Sequence, residues 1–555
     1  MGALRYKDII FASFLGFNES PQAMFTLLLI PCCLALNFAP APLIPNVPFL
    51  LAWNAPTEIC AKKFHVLVDL SLFSLIGSPR KDAERQDIAL FYADRLGYYP
   101  RINEVTGIIE NGGIPQLGPL NAHLHKAEKD ISYYVPKNRV GLAVIDWENW
   151  KPTWARNGNP KDVYKNLSIE LVQQKYIQLN LTEATKVAKE EFEKAGKNFM
   201  KETLELGKSL RPNYLWGYYL FPECFNHNYN KPGYTGICFD IEKRRNDELD
   251  WLWKESTALY PSVYLNSHLT YSPQATLFAR NRVQEAMRVS KINHARSPVP
   301  VFVYIRPVLT DVPSRYLSKE DLVSTIGEIV ALGASGTIMW GSLNLTRNMQ
   351  ACKRLKNYMK TTLDPYLINV TLAAKMCSQV LCQEQGVCIR KHWNSSDYLH
   401  LNSVNFAIRI GKGGKYTVHG KPTVEDLQEF SEKFYCSSYT DSVYKKKVDL
   451  KNINTISVCV ADDICIDSVL DSEESRGHPS ISNEETSFTS YDSSLSTPPV
   501  TQSKRTPREY FSGYLGDICS VEAMSNNAQK GCQNANWKKD DIHDPIANIS
   551  NAVNL

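Results

Sequence analysis

Short apolar runs alternate with amphipathic segments from about residue 40 to residue 350. The runs are continuously apolar, which is typical of parallel strands that are covered on both faces. They lie at residues 88–92, 141–146, 215–221, 301–306 and 336–340. Repeated strand and helix units over this length predict an α/β fold, and we expect the parallel sheet to close into a distorted (β/α) barrel.

Two of the intervening segments predict helices with clear ends. The segment before Pro212 repeats apolar residues at spacings of three, four or seven, with lysine and glutamate between them, as an amphipathic helix does. Its apolar positions are Ala188, Phe192, Ala195, Phe199, Leu206 and Leu210. A second helix is predicted to begin at Ser318, which with Asp321 resembles a capping box, and to end near Gly333.

The pattern changes after residue 360. Closely spaced cysteines predict a small disulfide-stapled, loop-rich module at residues 361–466, because such a segment buries little core. We expect this module to brace the barrel, and a separate binding role is the alternative. Residues 467–555 are predicted to form a low-complexity tail. Its first part, from residue 467 to about residue 508, is rich in Ser, Thr, Glu and Pro and is expected to be disordered or O-glycosylated.

The N-terminal segment predicts a secretory signal peptide at residues 1–35. Arg5 and Lys7 precede an apolar stretch at residues 24–35 that is too short to span a bilayer comfortably. Its removal takes Cys32 and Cys33 and leaves twelve of the fourteen cysteines, an even number that is typical of a secreted protein with disulfides. The candidate N-glycosylation sites are Asn166, Asn180, Asn344, Asn369, Asn394 and Asn548.

The net charge bears on the kind of partner, and the polar C-terminus bears on membrane anchoring. The net charge of +4 produces no strong field that would favour nucleic acid. The chain ends in a polar segment, and a glycolipid anchor signal requires a hydrophobic tail. We therefore expect a secreted or membrane-surface protein with no such anchor signal in this sequence.

Two carboxylates stand one residue apart at the end of the predicted strand 141–146. Because strand side chains alternate between faces, Asp146 and Glu148 emerge on one side and Trp147 points away. Two acids on one face repel, so at least one is expected to have a raised pKa and to hold a proton near neutrality. A glycosidase makes its general acid in this way. An isolated pair of this kind is more often a strand end with two solvated or salt-bridged acids.

Aromatic residues cluster near the same predicted strand ends. Sugar rings present apolar faces that stack on aromatic side chains, although any single aromatic residue is more often part of a core. The candidates are Tyr98, Tyr99, Trp147, Trp150, Trp154, Trp216, Tyr218, Tyr219, Tyr260, Tyr264 and Trp340. Their repeated placement at strand ends favours a carbohydrate site.

The chain resembles the hyaluronidase family, and within it the sperm (testicular) type. The matching stretches are PNVPF at 45–49, WNAP at 53–56, DRLGYYP at 94–100, GGIPQ at 112–116, VIDWE at 144–148, LWGYYLFP at 215–222, LYPSVYL at 259–265 and LGASG at 332–336. The resemblance implies a distorted (β/α) barrel at residues 36–360 and an EGF-like module at residues 361–466. It also implies cleavage of internal β-1,4 bonds of hyaluronan with retention of configuration.

The same resemblance implies roles for individual residues. Glu148 would protonate the leaving oxygen, and Asp146 would orient the acetamido group of the substrate, whose carbonyl oxygen attacks the anomeric carbon. Tyr219, Tyr264 and Trp340 would shape the acetamido pocket. The further substrate contacts are Tyr99 as a wall of the groove and the polar residues Asp311 and Ser342. Because hyaluronan is a polyanion, we also expect cationic partners along the cleft, although any single cation is more often a solvated surface residue. The candidate cations are Lys151, Arg156, Arg244, Arg245, Arg280 and Arg282. No metal or organic cofactor is implied.

The family pattern also implies five disulfides. The pairs are Cys60 with Cys352, Cys224 with Cys238, Cys377 with Cys388, Cys382 with Cys436, and Cys459 with Cys465. One further pair of the family is missing, because Ser438 and Tyr444 stand at its positions. Losing both partners leaves no unpaired thiol, so we expect a looser module that still folds.

Two functions of different classes fit these observations. The first is a secreted or acrosomal hyaluronidase, a monomeric endo-hexosaminidase that aids sperm passage through the cumulus matrix, with chondroitin as a further candidate substrate. The second is a non-catalytic adhesion protein that binds hyaluronan or the egg coat. Retention of Asp146, Glu148 and the three pocket aromatics favours the enzyme, because a pure binding protein would be free to lose its acid.

Overall fold

The computed structural model describes residues 38–103, 106–293, 296–440, 453–461 and 463–470. These residues belong to one compact unit. The predicted signal peptide and nearly all of the predicted tail lie outside the described residues. The same holds for Tyr444 and Asn548.

The bounds of the strands and helices are as follows. The strands are β1 (Leu50–Asn54), β2 (Leu75–Gly77), β3 (Ile88–Tyr92), β4 (Arg101–Ile102), β5 (Ile109–Glu110), β6 (Gly141–Asp146), β7 (Tyr214–Tyr218), β8 (Phe302–Ile305), β9 (Gly336–Trp340), β10 (Gly386–Arg390), β11 (Phe406–Ile410), β12 (Tyr416–Gly420), β13 (Phe434–Ser438), β14 (Thr455–Ala461) and β15 (Ile464–Val469). The α-helices are α1 (Glu58–Phe64), α2 (Leu120–Tyr134), α3 (Asp162–Lys175), α4 (Leu181–Leu210), α5 (Asp240–Asp247), α6 (Asp250–Glu255), α7 (Pro273–Val289), α8 (Lys319–Leu322), α9 (Glu328–Ala331), α10 (Met349–Tyr358), α11 (Asp364–Cys382) and α12 (Val424–Lys433).

Two parallel sheets and one bridging segment form the predicted barrel. The sheets have the strand orders β2-β1-β9-β8 and β3-β6-β7. Residues 259–262 join them through parallel bridges, because Tyr260 pairs with Tyr219 and Ser262 pairs with Tyr304. On the opposite side, β2 lies close to β3, where a Cβ on Gly77 would stand 2.6 Å from the Ile88 carbonyl oxygen. The barrel is distorted because the bridging segment makes only isolated bridges with its neighbours.

The alternation of side chains along each strand creates an inner and an outer layer. The inner layer is a buried cluster that includes Leu50, Ala52, Ile88, Leu90, Leu142, Val144, Phe302, Tyr304, Ile338 and Trp340. The outer layer packs in the main core and includes Leu51, Trp53, Ala89, Phe91, Ala143, Ile145, Val303, Ile305 and Met339. Both faces of each strand are therefore apolar, which explains why the sequence runs are continuous.

The predicted helices are confirmed. The amphipathic helix is α4, which begins at a capping box formed by Asn180 and Glu183. Ser318 and Asp321 form the second capping box, and the helical segment that follows ends at Leu332, just before Gly333 in the left-handed region. A reciprocal cap satisfies two backbone N–H groups, so the sequence signal has a direct physical cause.

The domain boundary predicted at residue 361 falls inside a continuous helical segment. The α10 helix leads through a π-helical turn at Met359–Leu363 directly into α11, which is largely buried. Glu328 of α9 forms ion pairs of 2.7 Å with both Arg280 of α7 and Arg390 of β10. The described part of residues 361–466 therefore packs as an extension of the barrel. It also contains helices and hairpins where the sequence predicted a loop-rich module.

The five implied disulfides are all present. Cys60–Cys352 ties α1 to α10, 292 residues apart in the chain. At the position of the missing pair, the buried Ser438 hydroxyl lies 3.1 Å and 2.8 Å from the carbonyl oxygens of Gln385 and Thr440. A hydrogen-bonded hydroxyl thus occupies the site of one lost cysteine.

The sequons in the described residues differ in exposure. Four of them are exposed, at Asn166, Asn180, Asn344 and Asn394. Asn369 on α11 is half-buried, and its side-chain oxygen accepts a hydrogen bond from the Leu401 amide. In the part of the chain that the structure describes, no helix combines the length and the apolar character that a bilayer crossing requires.

Candidate active site

Asp146 and Glu148 enter one pocket at the carboxyl ends of the barrel strands. Asp146 is the last residue of β6, and Glu148 follows on the same face. Trp147 points to the outer layer, where it is 3% exposed and stacks on Tyr99 at 4.4 Å between ring centroids. The pocket is lined by Leu90, Asp146, Glu148, Tyr219, Tyr264, Tyr304 and Trp340. This is the end of a (β/α) barrel at which reactive groups gather.

The surroundings of Asp146 favour its protonated form. Burial raises the pKa of Asp146 well above its usual range, and the neighbouring Glu148 carboxyl raises it further through charge and a hydrogen bond. Lys151 and Arg95 oppose this shift only in part. The direction of this shift is the one expected for one of two acids on the same face of a strand.

Tyrosine and tryptophan rings form the walls of this pocket. The Tyr219 and Tyr264 rings lie 6.3 Å apart, and the Tyr264 and Trp340 rings stack at 6.4 Å. Tyr304 meets Tyr219 edge to face at 5.1 Å. Burial raises the pKa of Tyr219 and of Tyr264, so both phenols remain neutral and keep their hydroxyl protons as hydrogen-bond donors.

Tyr92 and Tyr304 are site residues that the sequence analysis did not single out. The Trp340 indole Nε1 donates a hydrogen bond of 3.1 Å to the Tyr92 hydroxyl, and Tyr304 lines the pocket. Both tyrosines occupy inward positions of predicted strands, two residues after Leu90 and Phe302 respectively. Continued alternation along β3 and β8 is the signal that would have identified them.

Tyr99 is not a wall of the groove. It is fully buried, its ring stacks on Trp147 and on Trp150, and its backbone carbonyl accepts a hydrogen bond from Asn111. The prediction that Tyr99 forms a wall of the groove is therefore wrong. The reason is that the DRLGYYP segment turns its second tyrosine into the outer layer, between the barrel and its helices.

Four of the six cations predicted to bind substrate, namely Lys151, Arg156, Arg245 and Arg280, are held by carboxylates of the protein. Lys151 is 7% exposed, and its Nζ lies 3.0 Å from Glu223 Oε1. Arg245 pairs with the buried Glu242 at 2.7 Å. Arg156 pairs with both Glu223 and Glu242, which joins Lys151, Arg156 and Arg245 into one ion-pair network beside the site.

Asp311 and Ser342 likewise make local contacts. The Asp311 carboxylate accepts hydrogen bonds from the backbone amide of Ser267, at 2.9 Å, and from its hydroxyl. Ser342 caps the short helical turn Leu343–Leu345, where its hydroxyl oxygen accepts from the Asn344 amide at 3.4 Å. Neither residue lines the acidic pocket. Across the described ranges, no group of three or more His, Cys, Asp or Glu side chains is arranged to hold a metal ion.

Comparisons with known proteins agree with this geometry. The family model of hyaluronidases matches residues 38–448. Hyaluronidase PH-20 of Homo sapiens is 63% identical over 471 residues, which cover 85% of this chain and 92% of the relative. Hyaluronidase PH-20 of Macaca fascicularis is 62% identical over 482 residues, which cover 87% and 94%.

Solved structures give the same result. Bee venom hyaluronidase is 32% identical with a TM-score of 0.51, and the match covers 57% of this chain and 99% of that structure. Its complex with a hyaluronic acid tetramer is 31% identical with a TM-score of 0.50, and covers 57% and 98%. The acidic pair at the mouth of a distorted barrel, the length of the family match and the identity to full-length relatives together establish that the chain belongs to the hyaluronidase family.

Proposed function

We propose that this chain hydrolyses internal β-1,4 bonds between N-acetylglucosamine and glucuronate in hyaluronan, with retention of configuration. The observation that carries the proposal is the placement of Asp146 and Glu148 together inside an aromatic pocket, where burial raises the pKa of Asp146. The solved complex of a family member with a hyaluronic acid tetramer supports the choice of polymer.

In the first step, Glu148 donates the proton to the glycosidic oxygen as the bond to the anomeric carbon breaks. The carbonyl oxygen of the substrate's own acetamido group attacks that carbon and forms a cyclic oxazolinium ion, so no protein nucleophile is needed. The Asp146 carboxylate accepts a hydrogen bond from the acetamido N–H and stabilises the positive charge. This step requires that, once the substrate is bound, the proton of the acidic pair is on Glu148 and Asp146 is ionised.

In the second step, the Glu148 carboxylate removes a proton from a water molecule, whose oxygen attacks the anomeric carbon. The bond from the acetamido oxygen breaks, the acetamido group is restored, and Glu148 is protonated again. Two inversions at one carbon give net retention. The neutral hydroxyls of Tyr219 and Tyr264 and the face of Trp340 would hold the acetamido group in place.

We also propose an EGF-like character for the small cysteine-rich part. The pairs Cys377–Cys388 and Cys382–Cys436 interleave in the chain, and β10 pairs with β13 between them. The disulfides fit a secretory route. In this proposal the protein is secreted or exposed on the sperm surface, acts as a monomer and aids passage through the cumulus matrix. Chondroitin cleavage and egg-coat contact are further parts of the proposal.

The test is replacement of the proton donor. Glu148→Gln keeps the shape of the side chain and removes its acid, so we expect kcat on hyaluronan to fall by roughly 10²- to 10⁴-fold. Reducing ends are measured with polymeric hyaluronan, and binding is measured separately with labelled oligosaccharide. Glu205→Gln on the exposed side of α4 is the matched control and should leave kcat unchanged.

Two outcomes would contradict the proposal. Unchanged turnover in Glu148→Gln would remove Glu148 from the role of proton donor. A wild-type protein that binds hyaluronan and never releases reducing ends would instead favour the adhesion function.

A further inference from the structure

Arg306 stands directly above the aromatic wall of the acidic pocket. It follows the last residue of β8, and alternation places it on the same inward face as Phe302 and Tyr304. Its guanidinium carbon lies 5.1 Å from the Trp340 ring centroid and 5.8 Å from that of Tyr264. Arg306 therefore lies one residue layer further toward the mouth than the pocket itself.

This cation has no anionic partner among the described residues. Arg306 as a residue is 7% exposed. Within the described ranges its side chain forms no ion pair or hydrogen bond, and its Nε atom is buried without a partner. Burial lowers its pKa, yet an arginine remains charged at neutral pH. A buried charge without a counterion is costly, and the rings of Trp340 and Tyr264 offset that cost only in part.

Four other arginines and lysines around the site already have partners within the protein. Arg245 and Arg156 pair with Glu242, and Lys151 pairs with Glu223. Arg282 donates to the Asn226 side chain at 3.0 Å and to the Ser262 carbonyl at 3.1 Å. In contrast to these four residues, Arg306 retains its hydrogen-bond donors for a ligand at the mouth of the barrel.

We infer that Arg306 binds the carboxylate of a uronate residue next to the sugar whose acetamido group enters the pocket. The inference rests on the proposed function and specifies the part of the substrate that this cation recognises. In the proposed polymer the two sugars alternate, so a glucuronate carboxylate always adjoins the N-acetylglucosamine. The planar guanidinium presents a fork of donors that matches a carboxylate, and few competing waters reach it at this depth.

The experiment compares charged and neutral substrate. Hyaluronan oligosaccharides and their carboxyl methyl esters are cleaved by wild type and by Arg306→Gln, and kcat/KM is measured for each. We expect esterification to lower kcat/KM of the wild type by roughly 10- to 100-fold. Arg306→Gln should lose a similar factor on hyaluronan and should discriminate between the two substrates by less than about 3-fold.

Two further variants separate charge from packing. Arg306→Lys keeps the charge without the fork, so it should show intermediate kcat/KM and remain sensitive to esterification. Arg139→Gln is the matched control, because Arg139 pairs with Asp87 at the opposite end of the barrel from the pocket. It should behave as wild type on both substrates.

The inference is overturned if Arg306→Gln retains the wild-type preference for the free carboxylate. Equal losses on both substrates would also overturn it, because they indicate a packing role above Trp340. If Arg306→Gln does not fold, the ester sensitivity of Arg306→Lys decides the question. A wild type that cleaves neither substrate refutes the proposed function instead, and the same comparison is then made with oligosaccharide binding.

Discussion

The Trp340 indole donates a hydrogen bond of 3.1 Å to the Tyr92 hydroxyl across the mouth of the barrel. Trp340 ends β9 and Tyr92 ends β3, and these two strands belong to different sheets. The bond therefore fixes the orientation of one pocket wall from the other side of the barrel. It also lies close to the acids, because the charges of Asp146 and Glu148 both act on the Tyr92 hydroxyl.

Tyr92→Phe should weaken the site without unfolding the protein. The substitution removes the hydroxyl that accepts from Trp340 and leaves the indole N–H without this partner, so we expect kcat/KM to fall roughly 3- to 10-fold. Steady-state cleavage of hyaluronan measures the effect, and thermal unfolding checks the fold. Tyr133→Phe, at an exposed tyrosine of α2, is the control. Wild-type kinetics in Tyr92→Phe would mean that the bond has no positioning role.

The pH dependence of activity should depend on Asp146. Because the pKa of Asp146 is raised by burial and by Glu148, the pair keeps its proton at a pH where an ordinary aspartic acid has lost it. Activity should fall as rising pH removes that proton. In Asp146→Asn the like charge is absent, so the alkaline limb of the kcat/KM profile should move to lower pH, with a loss in kcat of about 10²-fold or more.

The control for this experiment is Asp82→Asn, at an exposed aspartate. It should leave the profile unchanged. An alkaline limb that stays in place in Asp146→Asn would show that the two carboxyl groups do not share the titrating proton.

Glu328→Gln should destabilise the barrel and the cysteine-rich part together. The buried Glu328 carboxylate pairs with Arg280 and Arg390 and accepts a hydrogen bond of 2.7 Å from Tyr398. Removing its charge leaves two buried guanidinium groups uncompensated, which costs roughly 3 to 5 kcal/mol of unfolding free energy. Urea unfolding should show one transition at lower urea, whereas the exposed Glu320→Gln should not change it. Two separated transitions would instead support an independent module.

Asp364 should make stability fall as pH rises. Burial raises the pKa of Asp364 from 3.8 to about 7. A hydrogen bond from Tyr416 opposes this shift, and the negative charge of Asp69 makes a smaller contribution in the same direction as burial. Between these two values the folded protein binds more protons than the unfolded chain, so the free energy of unfolding declines with increasing pH. The contribution is fully present below pH 3.8 and is lost as pH passes through about 7.

Asp364→Asn should remove this decline. The whole shift corresponds to roughly 4 kcal/mol at most, since one pKa unit is about 1.4 kcal/mol. Urea unfolding at about pH 5 and about pH 8 measures the difference, and Asp82→Asn serves as the control. If wild type and Asp364→Asn lose stability equally over this range, other groups are responsible for the pH dependence.

Local sequence patterns determined the barrel and the place of the acidic pair. Continuous apolar runs predicted β3, β6 and β9 with their observed bounds, because strands covered on both faces need apolar side chains at every position. The capping box at Ser318 marked a helix start for an equally local reason. The alternation of side chains placed Asp146 and Glu148 on one face and Trp147 on the other.

Tertiary structure decided which of the candidate side chains reach the site. Tyr99 was predicted in the groove and lies in the core, Lys151 is held by Glu223, and the Trp340 bond to Tyr92 spans 248 residues. Helical and strand periodicity report only which face a side chain occupies. The partner of a charged group or a hydroxyl depends on segments far away in the chain. For this reason, only the folded barrel shows that Lys151 is paired with a carboxylate and that Arg306 has no anionic partner among the described residues.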